Sequence, residues 1–360
     1  MKSFVRRGSI VVVGMAVAVL MSGCASSSKP DAQPGSGSSA GSTAKSSGVT
    51  ITMYSGQHEQ TTSQLVSVFE NETGIKVKVR SDDEAVLANQ IAQEGSRSPA
   101  DVFYAENTPP LEFLREKNLL APITPVTLSA VPGQYSSATG DWAGVSARVS
   151  VMVYNTKDLT PEQLPKSALD LASPAWKGKI GIAPGETDFQ PIVTSMIKAY
   201  GKPAALKWLQ GLKSNAGSDH SYPDNESLVD MVNKGKVEIG VINHYYWYRA
   251  RDEVGAGSLQ SAIAFFAPRD PGYILDVSGA GVLKSSKHQD AAQRLVAFLV
   301  SKSGEGVLAH SESYEYPLGS GVLTAKPLRP FDQLQPNALS IADLGDGQDA
   351  IALLQQAQLL

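Results

Sequence analysis

Short apolar stretches alternate along most of this chain with stretches whose apolar residues recur at helical spacing, and this alternation is the strongest constraint on its fold. The first cycle has strand patterns at residues 49–54 and 75–79, separated by a helical pattern at 64–69. Later cycles have the same form, with strands at 101–104, 179–183 and 237–242 and helices at 111–120, 190–200, 204–212, 227–233 and 290–300. Such alternation predicts an α/β chain whose helices pack on largely parallel sheets.

Two longer extended stretches, residues 149–154 and 273–283, interrupt this alternation, and each is followed by a change in the pattern of elements. We expect both stretches to be hinge strands at which the chain crosses between two lobes. A helical pattern at 349–360 is expected to close the chain on the second lobe. The length of 360 residues fits two lobes of ordinary size.

The first 23 residues predict a signal peptide, since positive residues precede an apolar run at 10–21 that is short for a membrane span. Cys24 follows a small-residue site directly, as it does in a bacterial lipobox, so Cys24 is the expected lipidation site. The alternative is an ordinary secretory signal with a chance cysteine. Cys24 is the only cysteine in the chain, which weighs against chance.

Residues 24–48 are rich in serine and glycine and predict a flexible tether after the lipidated cysteine. A single cysteine excludes an intramolecular disulfide and any cysteine-rich zinc or iron–sulfur site. A bound metal would therefore need oxygen and histidine ligands. The net charge of −4 argues against a nucleic-acid partner, because such partners bind basic surfaces.

The most unusual segment is residues 242–248, where three tyrosines and a tryptophan directly follow a predicted strand. Side chains of a strand alternate between faces, so one buried stripe would not contain all four, and loops after strand ends are common ligand sites. A buried aromatic patch remains the alternative. The adjacent pair Tyr245 and Tyr246 would suit ferric iron, a hard ion that prefers anionic oxygen and stabilises the phenolate form.

Six segments together resemble the ferric-ion-binding proteins of bacterial ABC iron importers: residues 54–58, 99–106, 176–181, 243–248, 278–284 and 316–318. The resemblance extends from about residue 51 to the C-terminal helix. It implies a two-lobed periplasmic-binding-protein fold of type II, similar to a transferrin lobe, with mixed sheets flanked by helices and two hinge strands. The expected lobes are residues 49–150 with 277–325, and residues 151–276 with 326–360.

The family holds iron with one histidine, one glutamate and two adjacent tyrosines, and the matching residues here are His58, Glu106, Tyr245 and Tyr246. His58 and Glu106 would come from one lobe and the tyrosines from the other, so that closure assembles the ligand set. Taken alone, His58 could be an exposed turn histidine and Glu106 a charge at a helix entry. Their match to the family's ligand positions favours iron binding.

The family also places a synergistic anion, commonly phosphate, on the iron, and holds it with a small-residue segment at a helix N-terminus. Here the matching segment contains Glu186 and Asp188, whose carboxylates would repel phosphate at short range. We expect that one of these carboxylates replaces the anion, or that a smaller anion such as carbonate is used. The residues assigned to the anion or to the surrounding shell are Asn107, Arg148, Glu186, Thr187, Asp188, Asn225 and Asn243.

The resemblance implies an exported lipoprotein that delivers Fe(III), as a monomer, to an ABC permease and its ATPase. We expect it on the outer face of the cell membrane, held there by its lipid anchor only, or in the periplasm. One alternative is a receptor of the same fold for a polyamine, an organic anion or an iron chelate. The other is a redox enzyme with tyrosine-ligated iron, although no nucleophile elbow or phosphate-binding glycine loop supports an enzyme.

Overall fold

The structure is a computed structural model that describes residues 48–319 and 321–360. The predictions of a signal peptide and of a lipidated Cys24, and nearly all of the predicted tether, lie outside these residues. The described chain forms ten strands: β1 Thr50–Ser55, β2 Lys76–Ser81, β3 Val102–Ala105, β4 Leu120–Ala121, β5 Trp142–Asn155, β6 Ile180–Gly181, β7 Ile239–Asn243, β8 Ser261–Ala264, β9 Leu275–Leu283 and β10 Tyr316–Pro317.

The same residues form helices before, between and after these strands. They are α1 Glu59–Thr73, α2 Glu84–Glu94, α3 Thr108–Glu116, α4 Pro125–Leu128, α5 Phe189–Tyr200, α6 Lys202–Ala216, α7 Asn225–Asn233, α8 His244–Val254, α9 Gln289–Leu299, α10 Lys302–His310, α11 Ile341–Leu344 and α12 Gln348–Gln356. The predicted alternation of strands and helices is therefore confirmed. No helix of the described chain is long and apolar enough to cross a lipid bilayer.

The strands form a hydrogen-bonded network in the order β2-β1-β3-β9-β5-β7-β6, to which β4, β8 and β10 add at the side. The pairs β1–β2, β1–β3 and β6–β7 are parallel. Strands β9 and β5 pair antiparallel with each other, and on their other sides β9 pairs antiparallel with β3 and β5 with β7. The expectation of largely parallel sheets is wrong, because two long strands from distant parts of the chain run against their neighbours. The mixed sheets implied by the family resemblance are present.

The long strand β5 carries the chain from one half of this network to the other. Its residues 142–149 pair with β9, and its residues 150–155 pair with β7 and β8. The predicted hinge at residues 149–154 lies at this change of partner. The terminal helix α12 packs on α5 and α6, beside the β7 half. The lobe boundaries themselves stay predictions.

Strand ends place the first predicted ligands near each other. The parallel strands β1 and β3 pair Ser55 with Tyr104, so the turns that follow them leave from the same edge of the sheet. His58 follows β1 and Glu106 follows β3. Gly56 in the first turn is required by space, because a Cβ there would lie 2.3 Å from the Cβ of Glu84.

Glu305 is a buried carboxyl of α10, and its Oε1 accepts a hydrogen bond of 2.8 Å from the amide of Gly319. Burial raises the pKa of Glu305 well above its usual 4.5. A raised pKa means that folding favours the protonated acid. The contribution of Glu305 to stability is therefore fully present below pH 4.5 and is lost as the pH rises through the folded-state pKa.

We expect Glu305→Gln to stabilise the fold by about 1–2 kcal/mol at about pH 8, where folding of the wild type must either bury a charged carboxylate or take up a proton, and by much less at about pH 4. Glutamine keeps the accepting oxygen and cannot ionise. Urea unfolding at the two pH values measures the difference. Glu312→Gln, at an exposed site, is the control and should change neither value. Equal stability of Glu305→Gln and wild type at both pH values would contradict this account.

Candidate metal centre

One carboxylate oxygen, Oε1 of Glu106, is the point at which the predicted ligands meet. The hydroxyl of Tyr245 donates to it at 2.5 Å, and Nε2 of His58 lies 3.2 Å away. Two donors at right angles, each about 2.1 Å from one ion, are about 3.0 Å apart. The spacing of these three side chains is therefore close to that of neighbouring ligands around a small metal ion.

Glu106 is ionised although only 14% of its side chain is exposed. Burial opposes ionisation, but the charges of His58 and Arg148 and the hydrogen bond from Tyr245 outweigh it and lower the pKa of Glu106 to about 2. Glu106 acts on His58 in turn. Burial favours the neutral ring and lowers the pKa of His58, but the negative charge of Glu106 outweighs burial and raises this pKa above its usual value. The site thus holds a hard anionic oxygen, the ligand type that Fe(III) prefers.

Tyr245 and Tyr246 lie side by side in the first turn of α8, with ring centroids 4.2 Å apart, and both are buried. The expectation that this segment is a loop is wrong, since the helix begins at His244, directly after β7. The same hydroxyl lies 3.2 Å from Oδ2 of Asp188, so its single proton is shared between the two carboxylates, with the shorter contact to Glu106. The hydroxyl of Tyr246 makes no hydrogen bond within residues 48–319 and 321–360.

Both phenols are held in their protonated form by their surroundings. Burial, followed by the negative charges of Asp188 and Glu106, raises the pKa of Tyr245 and that of Tyr246 well above 10. A multivalent cation placed among these groups would reverse the effect, because its charge stabilises the phenolate form far more than the nearby Arg148 does.

Asp188 occupies the position at which the family resemblance expects an anion. It stands at the N-terminus of α5, and its two carboxylate oxygens accept from the side-chain amides of Asn107 at 3.1 Å and Asn225 at 3.3 Å. The hydroxyl of Tyr245 is the third donor. Burial, followed by the charge of Glu106, raises the pKa of Asp188 to about 6. The amides predicted to hold an anion thus hold this carboxylate.

The other residues assigned to the shell lie at different distances from this centre. Glu186 is half-buried, accepts from the backbone amide of Asn225 at 3.2 Å, and has its pKa raised to about 8 by burial and by Asp188. Thr187 stands between Glu186 and Asp188 in the sequence, and its side chain is buried. Asn243 is the buried last residue of β7, and its side chain makes no hydrogen bond within the described chain.

Arg148 lies beneath the centre and is completely buried. Its Nη1 donates to Oε1 of Glu315 at 3.2 Å, and its Nη2 is 3.9 Å from Oε1 of Glu106. The guanidinium balances these two buried carboxylates. Its role here is therefore to keep Glu106 charged, and nothing places it against an anion in the cleft.

Three further residues contact the centre and were not found from the sequence. Glu84 accepts from both the backbone amide and the side-chain amide of Asn107, each at 2.8 Å. Glu315 pairs with Arg148, and Arg249 contacts His58. Only Arg249 has a sequence signal, because it stands four residues after Tyr245 and shares its helix face.

Within residues 48–319 and 321–360, no three side chains of His, Cys, Asp or Glu are arranged to hold a metal ion. A metal at this centre would therefore need the tyrosine oxygens as well. The described side chains supply such a set, since the imidazole of His58, the carboxylates of Glu106 and Asp188, and the phenols of Tyr245 and Tyr246 lie together.

Known proteins that resemble this chain over most of its length include several named for ferric iron. The Fe(3+)-binding periplasmic protein of Serratia marcescens is 38% identical over 320 residues, which cover 89% of this chain and 94% of that protein. The major ferric iron-binding protein of Neisseria meningitidis is 40% identical over 309 residues, covering 85% and 92%. The structure of iron-bound HitA from Pseudomonas aeruginosa superposes with a TM-score of 0.82 at 41% identity, over 86% of this chain and 99% of that one.

The structural likeness confirms the predicted fold class, the type II periplasmic-binding-protein fold with mixed sheets flanked by helices. The sequence profile of one family, described as bacterial extracellular solute-binding protein, matches residues 55–306. That match covers more than half of the chain, and the relatives align over nearly their full lengths. The chain therefore belongs to the bacterial extracellular solute-binding protein family.

Proposed function

We propose that this protein captures Fe(III) outside the cytoplasm and delivers it to an ABC importer. The observation that carries the proposal is the meeting of His58 and Tyr245 on one ionised oxygen of Glu106, with Tyr246 packed alongside. Relatives at 38% and 40% identity are named for ferric iron binding, and the similar HitA structure contains iron.

The proposed ligands are His58, Glu106, Tyr245 and Tyr246, and their charges suit a trivalent ion. Glu106 and two phenolates together carry three negative charges, which equal the charge of Fe(III), and the Asp188 carboxylate considered next would add a fourth. The ion displaces both phenol protons on binding, so loading releases protons and acid favours unloading. Divalent ions gain less from the two phenolates, because their lower charge stabilises the deprotonated phenol less.

Asp188 is proposed to complete the iron shell in place of a synergistic anion. Its carboxylate already accepts from the side-chain amides of Asn107 and Asn225, the donors that an external anion would otherwise use. Glu186 is the weaker candidate, since it lies further out and contacts only the backbone amide of Asn225 among these donors. An added phosphate or carbonate would meet the repulsion of Asp188 at short range.

Iron binding is proposed to favour a closed arrangement of two lobes, residues 49–150 with 277–325 and residues 151–276 with 326–360. The contacts that already join them through the centre include Glu106 with Tyr245 and Asn107 with Asp188. An ion that takes ligands from both lobes binds the closed form more tightly, and so it shifts the equilibrium towards closure.

The proposed location is outside the cytoplasm, in keeping with the periplasmic relative from Serratia marcescens. Cys24 is proposed as a lipid anchor and residues 25–48 as the tether that lets a monomer reach an ABC permease. The site is read as a binding site and not as a catalytic one, because five anionic or imidazole groups surround one ion and leave little room for a substrate.

We predict that one equivalent of Fe(III) gives the protein a visible tyrosinate-to-iron charge-transfer band. Tyr245→Phe and Tyr246→Phe should each weaken the band and lower the affinity by more than about 100-fold, because each removes a ligand oxygen while outer contacts alone cost 10–100-fold. Absorbance during titration with a weak Fe(III) chelate measures both quantities.

Tyr248→Phe is the matched control, because Tyr248 lies on the same helix but stacks on Tyr314 at 5.2 Å, away from Glu106. It should leave band and affinity unchanged. Tight Fe(III) binding without a visible band, or a band that survives the double Tyr245→Phe, Tyr246→Phe change, would refute the tyrosine ligands.

We predict that wild-type affinity for Fe(III) is the same with and without phosphate, whereas Asp188→Ala binds weakly unless phosphate is added. Removing this carboxylate frees the amides of Asn107 and Asn225 to hold an anion. Phosphate should then restore at least tenfold in affinity, as expected for a group that supports a metal ligand set. Competition against a chelator, with and without phosphate, measures this.

Glu186→Ala is the matched comparison for the Asp188 variant. It should stay independent of phosphate if Asp188 is the replacing group. Phosphate dependence of Glu186→Ala but not of Asp188→Ala would reassign the role to Glu186, and phosphate dependence of the wild type would remove it from both.

A further inference from the structure

The helix that carries the tyrosine pair also contacts the histidine of the opposite lobe. Arg249 follows Tyr245 by four residues in α8, so both side chains leave the same face of the helix. Nη1 of Arg249 lies 3.0 Å from Nε2 and 3.3 Å from Nδ1 of His58. One helix thereby contributes a ligand and touches a second ligand across the cleft.

These two distances fix where the guanidinium stands. A single carbon separates the two imidazole nitrogens, and an atom close to both in the ring plane would collide with that carbon. Nη1 of Arg249 therefore lies over the face of the His58 ring. The in-plane position at Nε2 remains directed at Glu106, 3.2 Å away.

Arg249 has carboxylates in its surroundings but does not pair with them. Glu226, Asp230 and Glu253 line the same cavity of about 430 Å³ as Arg249 and Tyr246. Within the described chain, no carboxylate oxygen lies within ion-pair distance of Arg249, and its guanidinium contacts the ring nitrogens of His58 instead. Its conformation is therefore explained by the contact with the imidazole ring.

We propose that Arg249 is a positioning residue that holds the His58 ring in the orientation needed for the metal, an inference that rests on the proposed function. The hydrogen bond to Glu106 cannot do this in the loaded site, because Nε2 and the carboxylate oxygen would both turn to the ion. Contact over the ring face is compatible with coordination through Nε2. The ring of Tyr245, edge-on at 5.3 Å, limits the remaining rotation.

The contact between Arg249 and His58 also links the orientation of the His58 ring to the closure of the two lobes. His58 gains its face contact only when α8 approaches the turn after β1, and that approach is the one that brings Tyr245 to Glu106. Arginine suits the position because its guanidinium is planar and stacks on flat rings, which an ammonium group does not do.

A double-mutant cycle tests the proposal: wild type, Arg249→Ala, His58→Ala and the double variant, each titrated with Fe(III) supplied as a weak chelate. We expect Arg249→Ala to weaken wild-type binding by about tenfold or more, as loss of an outer-shell partner does. In the His58→Ala background the same change should have no further effect, because Arg249 acts through His58. Equal weakening in both backgrounds, or no weakening in the wild type, overturns the proposal.

Two further variants test whether Arg249 acts by orienting the His58 ring, by its charge alone, or by stabilising α8. Arg249→Lys keeps the charge without the planar group and should bind as weakly as Arg249→Ala; wild-type affinity of the lysine variant would overturn the role in orientation. Arg251→Ala, which removes a guanidinium bound to Asp252 and Tyr314 instead, should leave Fe(III) affinity unchanged. A loss equal to that of Arg249→Ala would mark a general effect on α8 and overturn the proposal.

The cycle also distinguishes this proposal from the function on which it rests. A wild type that binds no Fe(III) overturns both. Wild-type binding with a visible band, together with unchanged affinity in Arg249→Ala, overturns the role of Arg249 alone. The thermal midpoint of each variant shows whether it is folded, and Arg249→Lys decides the question if Arg249→Ala is not.

Discussion

The hydrogen bond between the ionised carboxylate of Glu106 and the hydroxyl of Tyr245 is the interaction on which the centre depends. Burial alone would neutralise the carboxylate, but His58 and Arg148 keep its pKa at about 2. Because it stays an anion, it accepts the hydroxyl of Tyr245 and so holds α8 against the end of β3. The positive charge of Arg148 is in turn balanced by Glu315, and this buried ion pair lies next to Glu106.

The sequence predicted the parts of this protein that depend on local pattern. Strands such as β1 and β3 and helices such as α5 and α9 follow from periodicity, which is a property of neighbouring residues. The antiparallel insertion of β9 between β3 and β5 was not predictable, because it depends on which distant strands meet. The helix at His244 was also missed, since burial of its aromatic residues overrides their modest helix propensity.

The centre was predictable to a similar extent. The resemblance pointed to His58, Glu106 and Tyr245, and these side chains do meet, although their role as ligands stays a prediction. Asp188 was recognised as a conflict with an external anion, and its contacts with two asparagines explain how a carboxylate can stand there. Arg249 carries no motif of its own, and its contact depends on two segments far apart in the chain.

A crystal structure of the Fe(III)-loaded protein grown with phosphate, with anomalous scattering measured at the iron edge, tests the central claim most directly. The account predicts one iron peak bound by His58, Glu106, Tyr245 and Tyr246, with a carboxylate oxygen of Asp188 completing the shell and no phosphate on the metal. An iron peak elsewhere, or one that lacks the tyrosine oxygens, would contradict the ferric-iron site. A phosphate on the iron would contradict the role of Asp188.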